Sequence, residues 1–366
     1  MKDSATITRD KPKKALVINP FGIGDVLFTT PVIKALTKSI PDIRVSFWCN
    51  ERVQQVLRNN PRIEKIFPLS RGDLNKIFDE STWEGIKSLV SLFKKLRGEK
   101  FDLALDFSLD HRYSMVCWLA GIKRRIGFDY KGRGIFLTDK VEFKGYSEKH
   151  MVEYYLGLLK PLNITCEDKN IELHPPAAGV NRISRLLSYS GVKAGDLVVG
   201  IAPGAGASWG RDAGAKHWQP LKFAQLAERM MDELKAKVVI LGDESEKPIA
   251  EIVKDAMRDK PVDLVGRTSL EELAAAISLL KVLVTNDGGP LHMATGLGVK
   301  TVSIFGPVDE KVYGPYPTSD KHIVVKKDLG CRPCYKDFRL PFCGKDRECI
   351  KDISVDEVFS AVRRVL

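Results

Sequence analysis

The chain has 366 residues, 44% of them hydrophobic, with 29 glycines, 19 prolines and a formal net charge of +11. That length exceeds what one core usually holds and predicts two domains of ordinary globular composition. No run approaches the roughly 20 apolar residues that span a bilayer, which speaks against a membrane-spanning protein. The charged start MKDSATITRDKPKK has no apolar h-region, so no secretory signal is read and a cytoplasmic location is expected. Basic residues outnumber acidic ones by 30 to 22 over residues 1–175 and by 28 to 25 over the rest. The basic first half predicts an anionic partner, a phosphorylated substrate or an acidic membrane surface. No helix-turn-helix or RNP-type signature is present, so nucleic acid is not expected.

In chain order, apolar runs at 15–18, 43–48, 65–69 and 101–107 predict strands, with helices over 25–39, 51–59, 81–97 and 111–120. After LHPP (173–176) the alternation restarts. Strands are expected at 197–203, 237–242, 262–266, 282–287 and 301–306, with helices over 220–235, 246–258, 269–280 and 290–297. Near-continuous apolar strands alternating with helices imply a parallel sheet covered on both faces. The fold class expected is therefore α/β, with two Rossmann-like, doubly wound domains facing a central cleft. The boundaries read as 1–175 and 176–350. Residues 351–366 form a terminal helix, opened by a capping box of Ser354 and Glu357 and expected to pack back toward the first domain. Ligands in such folds bind beyond the carboxyl ends of the strands, so the residues just after each strand are the ones to weigh.

Four clusters follow strands. Gly22-Ile-Gly24-Asp25 begins like a dinucleotide loop, but Leu27 stands where the third glycine belongs. Asp25 reads either as a general base at the cleft mouth or as a helix-start carboxylate favoured by the macrodipole. The stretch PGAGASWGRDAGAKHW is rich in small residues, including Gly204, Gly206 and Ser208. Their amides can turn toward phosphate oxygens, with Lys216 as a cation. In LGDESEK, Asp243 and Glu244 can meet a ribose or an adenine amino group, or simply cap a helix. In TNDGGPLHMATGLG, Asp287 precedes Gly288 and Gly289, whose amides can bind an anion, and His292 follows on the first helical turn.

GIGD, PGAGASWGRDAGAKHW and TNDGGPLHMATGLGVKTVSIFGP, in this order and over nearly the whole chain, resemble the ADP-heptose:lipopolysaccharide heptosyltransferase family, glycosyltransferase family 9. The resemblance implies the GT-B architecture and inverting transfer of heptose from ADP-heptose to the lipopolysaccharide inner core. It matches Asp25 to the family's acid–base aspartate and Lys216 to its phosphate-contacting lysine. Asp287, Gly288, Gly289 and His292 match the D-x-G-x-x-H element around the donor. The chain departs at Gly288, where Thr or Ser is as often expected, and so lacks one hydroxyl contact. On this reading Asp25 faces the donor from the acceptor side, with Gly22 and Gly24 beside it. Lys216 and the loop amides stabilise the departing ADP. No Asp-x-Asp stands beside the nucleotide clusters, so transfer is expected to need no metal. Arg124, Arg125, Lys131 and Arg133 in KRRIGFDYKGRG are the expected contact loop for the phosphates of a lipid A precursor or core acceptor. The same charges can hold the protein against an anionic inner membrane.

Cys331, Cys334, Cys343 and Cys349 are four of seven cysteines. They read as a structural zinc site, as reduced structural thiols, or less readily as disulfides or an iron–sulfur site. Other functions stay open: a transferase using another nucleotide sugar or acceptor, an NAD-dependent oxidoreductase, or a non-catalytic nucleotide-sugar-binding protein. The oxidoreductase is weakened because the second strand ends in Asn50 rather than an acid.

Overall fold

The apolar runs become two parallel sheets in a computed structural model that describes residues 12–69, 83–205 and 207–366. The first contains β1 (Lys14–Asn19), β2 (Arg44–Cys49), β3 (Ile63–Pro68), β4 (Leu103–Asp106), β5 (Arg124–Tyr130) and β6 (Asp139–Phe143). Its strand order is β3-β2-β1-β4-β5-β6. The second contains β7 (Val198–Ala202), β8 (Lys237–Ile240), β9 (Val262–Asp263), β10 (Val282–Asn286), β11 (Lys300–Phe305) and β12 (His322–Lys326). Its order, β12-β11-β10-β7-β8-β9, is the same winding repeated. In both sheets the order reverses between the first strand and the fourth, so β1/β4 and β7/β10 are the two topological switch points. The central strands are apolar on both faces because helices cover both: Leu16, Val17, Val199, Ile201, Leu283 and Val284 are all fully buried.

The region expected as one helix over 25–39 is two, α1 (Ile23–Phe28) and α2 (Thr30–Ser39). Pro31 has no N–H to give the Leu27 carbonyl, and the Thr30 hydroxyl donates to it instead, at 2.7 Å. The first half adds α3 (Trp83–Glu99), α4 (His111–Leu119) and α5 (Met151–Leu156). The second half adds α6 (Ala177–Tyr189), α7 (Pro220–Leu234), α8 (Lys247–Asp255), α9 (Leu270–Ser278), α10 (Gly289–Gly296) and the short α11 (Glu310–Tyr313). Near the end come α12 (Glu348–Lys351) and α13 (Val355–Val365). No helix among the described residues is long and apolar enough to cross a membrane.

Three strands were not expected. β6 and β12 lie at sheet edges and are only partly buried, so no continuous apolar run marks them. β5 carries two arginines, a glycine and an aspartate. The terminal helix α13 forms with its capping box, the Ser354 hydroxyl accepting from Glu357 N at 3.2 Å. Its position corrects the expectation that it returns to the first domain. It packs on α7, β11 and β12, burying Val358, Phe359, Val362 and Val365 in the core of the second sheet. The Trp218 indole N–H donates to the Ile353 carbonyl just before it, at 2.9 Å, and the Arg229 guanidinium lies 4.0 Å from the Phe359 ring centroid. Phe359→Ala is expected to cost about 3–5 kcal/mol. Urea denaturation should show it as a lower midpoint with unchanged slope, whereas a helix docked loosely elsewhere would leave the midpoint in place.

Candidate active site

Both switch points are organised by an asparagine at the end of a strand. In the first half Asn19 ends β1, donates from Nδ2 to the Asp25 carbonyl at 3.0 Å and accepts from Phe21 N at 3.2 Å. The Gly22 amide donates to Asp25 Oδ2 at 3.1 Å. The glycine loop is thereby held in a turn that places Asp25 on the first turn of α1. In the second half Asn286 ends β10 fully buried. It accepts from Trp218 N at 3.0 Å and donates to the carbonyls of Pro203 (2.7 Å) and Gly204 (3.1 Å). One amide group thus ties the loop after β7 to the loop after β10. Next to it Lys216 Nζ lies 2.7 Å from Asp287 Oδ2, with both side chains 6% exposed. Neither asparagine was read from the sequence, although each follows an apolar run directly and precedes the loop it organises.

The two switch points meet across the cleft, α1 packing against α10. Gly24 lies on the imidazole of His292: a Cβ there would stand 2.5 Å from Cδ2. A Cβ on Gly289 would stand 2.9 Å from Ile23 Cδ1. The Gly288 backbone is extended rather than left-handed. Its glycine is required because a Cβ would come 2.9 Å from the Ala205 carbonyl, which accounts for the missing Thr or Ser. Phe28 stands edge-on to His292 (4.7 Å between centroids) and to His150 (5.0 Å).

Burial raises the Asp25 carboxyl to about 6; the Gly22 amide and the Lys216 charge pull it back, and Asp287 pushes it up. A helix start by itself would favour the ionised carboxylate and hold it low; burial wins here. His292 is lowered to about 3 by burial and by the charges of His150 and Lys216. It is therefore neutral, and its buried Nδ1 has no hydrogen-bond partner among the described residues. At the same edge of the first sheet, β4 ends in Asp106, raised to about 7 by burial and accepting from Ser108 N at 2.9 Å. Asp110 follows, paired with Arg112 at 2.7 Å. This group was missed. Its signal is DFSLD, two spaced acids straight after a strand.

Other expected site residues fall in different places. Gly206 lies outside the described residues, and Ser208 belongs to the turn Ala207–Lys216. Asp243 accepts from Ser245 N at 2.8 Å and Glu244 pairs with Lys247 at 2.7 Å, both as exposed helix-start residues. The acid that reaches the Gly204 backbone is Glu246, whose carboxylate fills the space a Cβ on Gly204 would need. Arg124 and Arg125 are not in a loop. They begin β5, at the sheet edge remote from Asp25. There Arg124 is paired with Asp139 (3.1 Å) and the Pro161 carbonyl (2.6 Å), and Arg125 donates to the Phe136 carbonyl at 2.5 Å. Lys131 and Arg133 do follow β5 at its carboxyl end, and both are exposed.

The zinc expectation is also corrected. Among the described residues no three His, Cys, Asp or Glu side chains are grouped to hold a metal ion, and all seven cysteines are free. The Cys334 thiol donates to the Cys331 carbonyl at 3.0 Å, Cys343 Sγ accepts from Arg347 N at 3.3 Å, and Cys349 is buried on α12.

Gly24→Ala forces a methyl group against His292 and should cost about 1–3 kcal/mol. Gly98→Ala, on an open face of α3 with no atom within 4 Å, should instead be neutral or stabilising by about 0.4–1 kcal/mol. Parallel denaturation curves of the two variants check the contact.

The profile of glycosyltransferase family 9 (heptosyltransferase) matches residues 89–340. The chain is 26% identical over 297 residues to lipopolysaccharide heptosyltransferase 3 of Escherichia coli K12, covering 80% of this chain and 82% of that protein. Among solved structures, the glycosyl transferase family 9 protein of Veillonella parvula superposes with a TM-score of 0.81 at 23% identity, over 96% of this chain and 97% of that one. The ADP-heptose lps heptosyltransferase II of E. coli superposes with a TM-score of 0.76 at 21% identity, over 96% and 98%. The shared architecture is the GT-B fold of two Rossmann-like domains. A profile match over most of the chain, on a fold held in common from end to end, shows that this chain belongs to glycosyltransferase family 9, the heptosyltransferases.

Proposed function

We propose that the protein transfers a heptose from ADP-heptose to a lipopolysaccharide inner-core acceptor, with inversion at the anomeric carbon and without a metal ion. The observation that carries this reading is the placement of Asp25, from the first half, opposite the buried Lys216–Asp287 pair of the second. In this division of labour residues 1–175 hold the acceptor and residues 176–350 the donor. The likeness to the ADP-heptose lps heptosyltransferase II of E. coli supports ADP-heptose as the donor.

The chemistry follows from the two sides of the cleft. Asp287 holds the Lys216 ammonium in place, and the amides of Gly288 and Gly289 open α10, so a cation and helix-start donors are on hand for a diphosphate. They stabilise the negative charge that grows on ADP as its bond to the anomeric carbon breaks. An acceptor hydroxyl attacks that carbon from the opposite face, its proton passing to Asp25, and the single displacement inverts the centre. The raised pKa suits this role, because a base titrating near the operating pH is stronger than an ordinary carboxylate and still ionised above about 6. The basic first half, eight charges in excess, suits a phosphorylated acceptor and a peripheral position on an anionic bilayer.

Transfer by the wild type should fall about tenfold per pH unit below about 6, since only ionised Asp25 accepts the proton. Asp25→Asn should lower kcat by about 10²–10⁴ while ADP binds as before, and a folded variant with full activity would remove Asp25 from the mechanism. Calorimetric titration with ADP, UDP and NAD⁺, each with and without EDTA, tests the donor side. ADP should bind preferentially, indifferent to the chelator, and lose affinity in Lys216→Ala. A preference for UDP would keep the chemistry and change the donor, and a preference for NAD⁺ would overturn the reading.

A further inference from the structure

Between β12 and α12 the chain runs from Lys327 to Arg347 without a helix or regular strand. Its base is fastened to the second half. Arg332 donates to the carbonyls of Gly306, Lys327 and Val308 and to Glu310, and Cys334 N and Tyr335 N both donate to the Pro307 carbonyl, at 2.9 and 3.2 Å. Its tip is a tight turn closed by mutual backbone hydrogen bonds between Lys336 and Arg339, of 3.1 and 2.9 Å. Within it Asp337 and Phe338 are left-handed, at φ 50° and 62°, an uncommon conformation for a bulky side chain.

That tip lies on the first half. The Phe338 ring stands edge-on to Tyr130 (6.0 Å, 79°) and to Tyr146 (5.9 Å, 84°). Tyr130 ends β5 and is buried, whereas Phe338 remains 43% exposed. Tyr146 and Tyr335 both lie within electrostatic range of Asp25: burial raises each phenol, Tyr335 to about 12, and the Asp25 charge adds to both. The Tyr146 ring in turn stands 6.2 Å from that of Tyr155, whose hydroxyl accepts from Asn19, the residue that also donates to the Asp25 carbonyl, so the loop tip packs beside the turn that carries Asp25. Lys336 and Arg339 flank Phe338 in the turn, with Asp337 as its acid, and Lys131 and Arg133 follow Tyr130 beyond β5, all of them exposed. Lys131 Nζ sits 4.8 Å from the Tyr130 ring centroid.

We infer that the tip of this loop is a specificity-determining part of the acceptor site: Phe338 offers its free face to a sugar ring, and Arg339, with Lys131 and Arg133 opposite, meets that sugar's phosphate or carboxylate. The acceptor is then held by both halves, not by the first half alone. The inference rests on the reading of the protein as a glycosyltransferase with an anionic sugar acceptor. An aromatic face, which stacks on the C–H side of a sugar, beside four cations fits an anionic saccharide better than a neutral one.

The full-length protein, Phe338→Ala, Phe338→Tyr and Arg339→Gln would be assayed with deacylated lipopolysaccharide inner-core oligosaccharide, phosphorylated or phosphatase-treated. Phe338→Ala should raise the acceptor KM roughly three- to tenfold, the span of one aromatic contact, with donor KM unchanged and Phe338→Tyr near wild type. Arg339→Gln should narrow the preference for the phosphorylated probe. An acceptor KM within twofold of wild type in Phe338→Ala, or equal losses for donor and acceptor, would overturn the inference. If the wild type transfers to neither probe, the transferase reading fails for this acceptor, and direct titration with the probes still decides the loop. Binding by the wild type that weakens in Phe338→Ala supports it, and equal or absent binding rejects it.

Discussion

The contact of Gly24 with His292 is the constraint around which the cleft is arranged. Two sheets of the same winding present their carboxyl edges to each other, and at this point there is no room for a single methyl group. Most groups of the proposed mechanism lie within a few residues of that contact, and Lys216 is brought to it by its pair with Asp287. Asp25 follows Gly24, while Asp287, Gly288 and Gly289 lead into the helix that carries His292. The close approach also dehydrates the region, and the unusual protonation of both Asp25 and His292 follows from that dehydration.

Magnitudes decide which effect governs Asp25. A charge at a helix start gains about 0.3–1 kcal/mol from the macrodipole, and α1 is only one and a half turns long. Moving the carboxyl from 3.8 to about 6 corresponds to about 3 kcal/mol in the opposite direction. Burial therefore outweighs the dipole, and the Gly22 amide and Lys216 recover only part of the difference. Lys216 is buried too, and it has Asp287 at 2.7 Å.

The second half does more than complete its own sheet. Its terminal helix α13 braces the outer face of its own sheet, which leaves the chain between β12 and α12 free to reach over the cleft to Tyr130 and Tyr146. Arg332 makes that reach rigid at its base by donating to three carbonyls and a carboxylate. Cys331, Cys334 and Cys343 lie in this same segment, where the Cys334 and Cys343 sulfurs make backbone hydrogen bonds, and Cys349 is buried on the helix that follows.

What the sequence determined by itself was whatever depends on neighbours along the chain. Strands buried on both faces, such as β1, β7 and β10, stand out because burial on both sides demands an unbroken apolar run. The cap at Ser354 and the loop motifs around Asp25, Lys216 and Asp287 are equally local. Edge strands β6 and β12 escaped because half-burial leaves no such run. Arg124 and Arg125 were misplaced for a related reason, since charge marks a surface without saying which end of a strand carries it. Only the tertiary structure decided that Gly24 meets His292, that Asn286 ties two loops together, that α13 stays with its own sheet and that Phe338 crosses to the other half. Those contacts join residues far apart in the chain, and the burial they create, absent from any short segment, sets the protonation of Asp25.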